Sequence, residues 1–417
     1  MRTYPGDHLG LDFPADAVSL DETGPEFLTA AFRRAGVLDD DAAVIALDSL
    51  TEFGGGSTGR KALLTVSYRG AHRLPRELFV KFSRDFDDPA RDLGRTQMAL
   101  EVRFALLTRA ARFPIAVPRC LFADYHAESG TGILITDRIA FGSNGIEQQH
   151  AKCADYAMPE PLQHYEALLG ALGRLAGSDK AGLLGAGSAF SVDIRRLSVG
   201  DRRLYSADQL HRRVDLLGEL AARRPGLLPA DIVAPQFISC LHHDVEIIAR
   251  RVDALWDRLA ADTDHVALCH WNANVDNAWF WRAGDQLQCG LLDWGCVGRM
   301  NLAMAIWGAL CSAETSMWDK HFEHLLRHFA DEYAAAGGPR LDTSAVHDHV
   351  LAYVAIMGTT WLLDVPGFLL NALPEPVTDR FDPAITESEQ IRSRLLMMTN
   401  FLNLWAKSDA SAVLDEG

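Results

Sequence analysis

Hydrophobic periodicity passes from mostly strand-like to mostly helical near residue 138, and that change restricts the fold more than any other feature. Before it, "VIALDSLTEF" (44–53), "KALLTVSYRG" (61–70) and "RELFVKFS" (76–83) are short β-branched or aromatic runs. Gly, Pro and charged turns separate them, as in an antiparallel sheet. "CLFADYHAESGTGILITDRI" (120–139) reads as two more strands about a glycine-containing turn. Two helices interrupt this region. "PEFLTAAFRRAGV" (25–37) carries Phe27, Leu28, Ala31 and Phe32 at helical spacing, and "TQMALEVRFALLTRAA" (96–111) places Met98, Val102, Ala105 and Leu106 on one face. Beyond residue 160 the period is three to four. Residues 162–177, 207–224 and 239–260 are predicted as long amphipathic helices, the last with Leu241, Val245, Ile248, Val252, Leu255 and Leu259 as one buried stripe. Further helices are predicted over 301–312, 316–335, 344–363 and 387–406, with only "HVALCH" (265–270) and "LQCGLLDW" (287–294) strand-like. Residues 142–160 are polar and aperiodic, a linker or ordered loop.

The pattern predicts an α+β chain in two lobes: a small antiparallel-sheet N-lobe over residues 1–138 and a larger, mainly helical C-lobe over 139–417. A ligand is expected in the cleft between them. With 417 residues, 48% of them hydrophobic, the chain has apolar material for two cores. A formal net charge of −16 opposes binding to nucleic acid, though not to one small anion held by local donors. Seven cysteines without a CxxC fit reduced thiols in a cytoplasmic protein. The N-terminal "MRTYPGDHLGLDFPADAVSL" has no apolar core of a signal peptide, and "LAYVAIMGTTWLL" (351–363) is too short to span a bilayer, so no membrane insertion is expected.

Candidate chemistry falls in five places. "EFGGGSTGRKALLTV" sets Gly54, Gly55, Gly56, Ser57 and Thr58 between two predicted strands, where a glycine-rich hairpin can bring N–H groups close to an anion. The spacing to Lys61 is not that of a Walker loop, and an ordinary turn gives the same letters. Lys81 lies in an apolar strand, on the face opposite Val80 and Phe82, and Glu101 follows in the next helix. Thr136, Asp137 and Arg138 close the last predicted strand of the sheet. "HWNANVDN" (270–277) and "LLDWG" (291–295) supply Asn277 and Asp293, hard oxygen donors suited to Mg²⁺.

Taken in order, these elements make the chain resemble the aminoglycoside phosphotransferase and choline-kinase group, in particular its ecdysteroid-kinase-like branch, over roughly residues 45–310. The resemblance implies a protein-kinase-like bilobal fold with ATP and Mg²⁺ as cofactors and a small-molecule hydroxyl as acceptor. By that resemblance Lys81 orients the α- and β-phosphates, Glu101 holds Lys81, and Asn277 and Asp293 bind the metal. The adenine meets the backbone of Thr136 to Arg138, and His270 supports its loop.

One position departs from the pattern. Where the group carries its catalytic aspartate this chain has Asn272, preceded by Trp271 in place of the usual glycine. An amide can position a hydroxyl but cannot take its proton. Because phosphoryl transfer is driven by positioning and charge neutralisation, losing a general base costs about 10²–10⁴-fold and does not by itself end turnover. Asp276 is a substitute base by composition alone. Three readings therefore stand: a small-molecule phosphotransferase, a nucleotide-binding pseudokinase, and a kinase-like enzyme with altered transfer chemistry. Five tryptophans fall between 271 and 307, which is either core packing or, for Trp271 and Trp294, the wall of a pocket for a lipophilic acceptor. "HHD" (242–244) is consecutive on a predicted helix and so cannot share one metal. Cys269 and His270 point to opposite sides of an extended segment and fail as a zinc pair in the same way.

Overall fold

A computed structural model describes residues 1–54, 58–110, 112–185, 190–197, 204–408 and 414. The chain forms two compact units, Met1–Asn144 with Leu291–Val297, and Gly145–Gly290 with Gly298–Gly417.

In the first unit, five strands form one antiparallel sheet in the order Ala43–Phe53, Arg60–Arg69, Glu77–Phe82, Thr131–Asp137, Cys120–His126. Alternation along the strands divides its faces. Ala62, Leu64, Val80, Phe82, Ile133 and Ile135 turn to one side and pack with Phe27, Leu28, Ala31 and Phe32 of the helix Ala17–Arg34. That helix begins earlier than its periodicity predicts. Asp16 caps it by accepting from the Ser19 N–H, and the break falls at Gly24, with φ of 61°, just before Pro25. The apolar spacing marks only the part after the break.

The other face of the sheet carries Leu134 and Ala123, packed with Met98, Val102 and Ala105 of the helix Met98–Leu107. Lys81 pairs with Leu134 in register, so its side chain leaves the sheet on this second face. In the chain the helix Met98–Leu107 lies between Glu77–Phe82, which carries Lys81, and Cys120–His126, a lysine strand followed by a helix as in the small lobe of protein kinases.

The second unit is mainly helical. Pro161–Lys180 and Thr315–Ala335 pack together, as do Ala207–Arg223 and Pro235–Ala261, while Thr343–Thr360 and Glu389–Lys407 supply much of the core. Thr343–Ala372 is long and apolar enough to cross a membrane by length and composition, yet 72% of its most apolar window is buried in the protein. Short strands, Val266–His270 and Ala278–Ala283, flank the "HWNANVDN" loop. The aperiodic segment after Gly145 is ordered: Ile146 bridges to Trp281, and the Glu147 N–H donates to the Phe280 carbonyl at 2.9 Å.

Candidate active site

Three charged side chains converge in the first unit. The Lys81 ammonium donates to Glu101 Oε2 at 2.7 Å and to Asp293 Oδ1 at 2.8 Å. Lys81 and Glu101 are both buried, whereas the Asp293 side chain keeps 29% of its surface in solvent. Burial alone would discharge the lysine, but the charges of Asp293 and Glu101 outweigh it and raise its pKa. Burial raises the Glu101 carboxyl, and the adjacent ammonium only partly compensates. Asp293 adopts φ of 61°, a left-handed conformation that Asp tolerates better than most residues and that clusters at functional sites. Trp294 holds this turn in place: its ring stacks on Phe104 at 3.8 Å and its indole N–H donates to the Leu291 carbonyl at 3.1 Å.

Lys61 is a fourth member that the sequence reading passed over. It stands directly opposite Lys81 in the register of the two neighbouring strands, with its ammonium 3.7 Å from Asp293 Oδ2. Like charges directly opposite on one sheet face are destabilising. Here the two carboxylates offset them. Counting residues from the glycine turn in register with the Lys81 strand is the signal that finds Lys61.

Of the glycine-rich turn, Gly55, Gly56 and Ser57 lie outside the described residues. Gly54 and Thr58 flank them, and Gly59, at φ of 61°, approaches the Phe82 carbonyl so closely that a Cβ would sit 2.0 Å from its oxygen. The turn is thereby tied to the strand carrying Lys81. At the end of the sheet, the Asp137 and Arg138 N–H groups donate to the Arg119 and Glu77 carbonyls, both at 3.2 Å. The Thr136 hydroxyl donates to the Asp137 carbonyl.

The second unit builds the 270–277 loop around its amides. His270 is fully buried, and its Nδ1 accepts from the Asn272 N–H at 3.2 Å. The Asn272 Oδ1 accepts from Asn274 Nδ2 at 2.6 Å and from the Lys152 ammonium at 3.5 Å. Asn277 donates its Nδ2 to the Asn272 backbone carbonyl at 2.9 Å, which leaves the amide oxygen as its acceptor end. Trp271 is buried, with its indole N–H on the Tyr353 hydroxyl at 2.6 Å, and its carbonyl lies against Gly308. Lys152 has no place in the motifs read from sequence. Burial lowers its pKa, but nearby acidic groups, Asp276 first, reverse this and raise it.

No protein-family model matches the chain, and no curated protein sequence matches it. Solved structures do. A microcompartment-associated aminopropanol kinase is similar over 93% of this chain and 98% of its own, at 12% identity and a TM-score of 0.41. Spectinomycin phosphotransferase, solved with ADP and spectinomycin, is similar over 86% and 93%, at 12% identity and 0.41. Plasmodium vivax ethanolamine kinase is similar over 90% and 86%, at 11% identity and 0.41. The neighbours are small-molecule kinases. Identities and scores of this size transfer neither an acceptor nor a residue role.

Proposed function

We propose that this protein is an ATP- and Mg²⁺-dependent phosphotransferase acting on the hydroxyl of a small molecule. The observation that carries the reading is the Lys81 ammonium gripped between Glu101 and Asp293. A buried lysine fixed at both sides is a rigid donor for phosphate oxygens, and Lys61 beside it adds a second charge. Asp293, the most exposed of the carboxylates around Lys81, fits a hard divalent ion through its oxygens, and Asn277 presents an amide oxygen of the same kind. Mg²⁺ held by oxygens of this kind would neutralise phosphate charge. The nucleotide reading extends to Gly54 through Thr58 as the phosphate turn and to Thr136, Asp137 and Arg138 as the base-contacting backbone.

Asn272 would orient the acceptor. Its side-chain oxygen Oδ1 is engaged by Asn274 and Lys152, so the amide nitrogen Nδ2 is the end that faces a hydroxyl oxygen in this reading. No carboxylate at 272 takes the proton, and turnover at a modest rate is the expected consequence. A lipophilic or aromatic alcohol as acceptor belongs to the same proposal, as do the ecdysteroid-kinase-like assignment and a cytoplasmic location, while the burial and internal indole N–H bonds of Trp271 and Trp294 favour core packing for those two. The competing reading, a nucleotide-binding pseudokinase, is favoured by Asn272 itself.

Calorimetry with Mg-ATP, followed by product analysis, separates these readings. Binding with slow formation of ADP supports the phosphotransferase. Binding without consumption across a broad alcohol panel supports the pseudokinase. AMP or pyrophosphate in place of ADP indicates altered transfer chemistry. Absence of binding at millimolar nucleotide removes all three.

A further inference from the structure

Among the described residues outside the groups discussed above, one cluster in the second unit has the composition and geometry of a transition-metal site. Glu147, His150 and His164 bring one ligand atom each to within 4.8 Å of one another. The Nε2 atoms of His150 and His164 lie 3.1 and 2.8 Å from the same Glu147 oxygen, Oε2. Around a tetrahedral ion with bonds of about 2.0–2.1 Å, donor atoms stand about 3.3 Å apart, so the two contacts to Glu147 would open by only a few tenths of an ångström to seat the ion.

The tautomer of His164 supplies the second observation. Its Nδ1 lies 3.2 Å from the Glu160 carbonyl oxygen, which only accepts, so Nδ1 carries the proton. In the neutral ring the Nε2 lone pair then faces a carboxylate oxygen, lone pair against lone pair. A cation between the two atoms, or a proton on either of them, resolves that contact. A ligating histidine that donates its other N–H to a backbone carbonyl is the usual outer support of a metal site. The framework is also fixed. His164 is almost wholly buried in the first turn of Pro161–Lys180, its ring meets Phe280 at 4.7 Å and His150 at 5.0 Å, and Glu147 is held by its N–H on Phe280.

We propose that Glu147, His150 and His164 bind one divalent transition ion of the zinc class, and that this ion clamps the segment 145–152 onto the 270–277 loop. Imidazole with one carboxylate suits Zn²⁺ rather than Mg²⁺. The clamp follows from what the segment touches. Gln149 Nε2 donates to the Asp276 carbonyl at 2.9 Å, and Lys152 reaches the Asn272 amide oxygen. An ion at Glu147 and His150 would fix the intervening residues and, through them, the two groups that steady Asn272 and Asp276.

The test uses the full chain without a histidine tag, stripped with chelator and titrated with Co²⁺ as a spectroscopic probe. One equivalent bound with intense tetrahedral visible bands is expected, displaced by Zn²⁺ and indifferent to excess Mg²⁺. The Asp293→Asn variant should bind identically, which separates this ion from the nucleotide metal. His150→Ala, at the more exposed of the two histidines, should weaken binding by more than the roughly 10–100-fold that loss of an outer partner costs. Hydrogen exchange in 145–152 should slow on Zn²⁺ addition. Wild-type protein that binds no stoichiometric Co²⁺, or binding unchanged in His150→Ala, overturns the proposal and leaves a carboxylate–imidazole hydrogen-bond network. Because the wild-type titration decides by itself, an unfolded variant does not obscure the result.

Discussion

Lys61 and Lys81 face each other across adjacent strands, and the two oxygens of one carboxylate, Asp293, answer them: Oδ1 at 2.8 Å from Lys81 and Oδ2 at 3.7 Å from Lys61. Each lysine is therefore expected to bind phosphate, but the two differ in what they do for the fold. Lys81→Met removes the partner of a buried carboxylate and should cost about 3–5 kcal/mol of stability, with Glu101 taking up a proton. Lys61→Met removes one of two apposed like charges, so stability should hardly change. Its Mg-ATP affinity should still fall about 10- to 100-fold, the worth of a bond to a charged group. Urea denaturation and calorimetry on both variants check this. Equal stability losses would refute the division of roles.

Asp293→Asn should keep the fold and lose the metal dependence of nucleotide binding. Asparagine also accepts a left-handed backbone, so φ of 61° is no obstacle, whereas alanine would be strained there. The measurement is nucleotide affinity with and without Mg²⁺. A variant that retains the full effect of Mg²⁺ would show that the ion binds elsewhere.

Restoring the missing carboxylate should do less than its chemistry suggests. In Asn272→Asp the new carboxylate would lie near the Lys152 ammonium, now 3.5 Å from the amide oxygen, and an ion pair there makes a weak base. The rate gain should stay well short of the ~10²–10⁴-fold of general-base help. Adding Lys152→Met should then raise the rate further. Single-turnover ADP formation for the two variants tests the order. A double variant slower than Asn272→Asp would assign Lys152 to binding instead.

Gly308 carries the 270–277 loop at contact distance. A Cβ there would sit 1.6 Å from the Trp271 carbonyl oxygen, and backbone cannot swing aside as a side chain can. Gly308→Ala should cost about 1–3 kcal/mol by overpacking. It should displace Asn272 along with Trp271 and impair turnover more than nucleotide affinity. A variant with wild-type turnover and stability would show that the loop is pliable.

Asp155 is a buried acid whose carboxyl is pushed up to about 6, first by burial, while the Tyr165 hydroxyl at 2.7 Å and the Glu314 N–H at 3.0 Å on Oδ2 hold it down in part. Its other oxygen, Oδ1, has no partner among the described residues, as suits a protonated acid. A folded-state pKa above the ordinary 3.8 means that this group's stabilisation is full below about pH 4 and is lost as pH rises through 6. At neutral pH ionisation costs about 3 kcal/mol at one pKa unit per 1.36 kcal/mol. Asp155→Asn keeps an acceptor for both donors and should be more stable relative to wild type at pH 7.5 than at pH 4.5. Urea midpoints at the two pH values measure the difference, and a constant offset would rule out ionisation as its source.

The fold was legible wherever hydrophobic period is local. Alternation in "ELFVKFS" places Lys81 opposite Val80 and Phe82, and the sheet register agrees, because side-chain direction in a strand is set by parity alone. The spacing of Leu241 through Leu259 likewise gave a helix whose buried stripe is those residues. The helix before Gly24 was not legible, since capping by Asp16 rather than apolar repeat starts it.

The sequence by itself determined the runs of strand and helix and offered a strand lysine followed by a helix glutamate, which the structure pairs. Tertiary structure alone decided that Lys61 joins Lys81, that Lys152 reaches Asn272, and that Glu147, His150 and His164 meet. Each of those depends on register between strands or on loop closure across 14 to 120 positions, where no local period exists to be read.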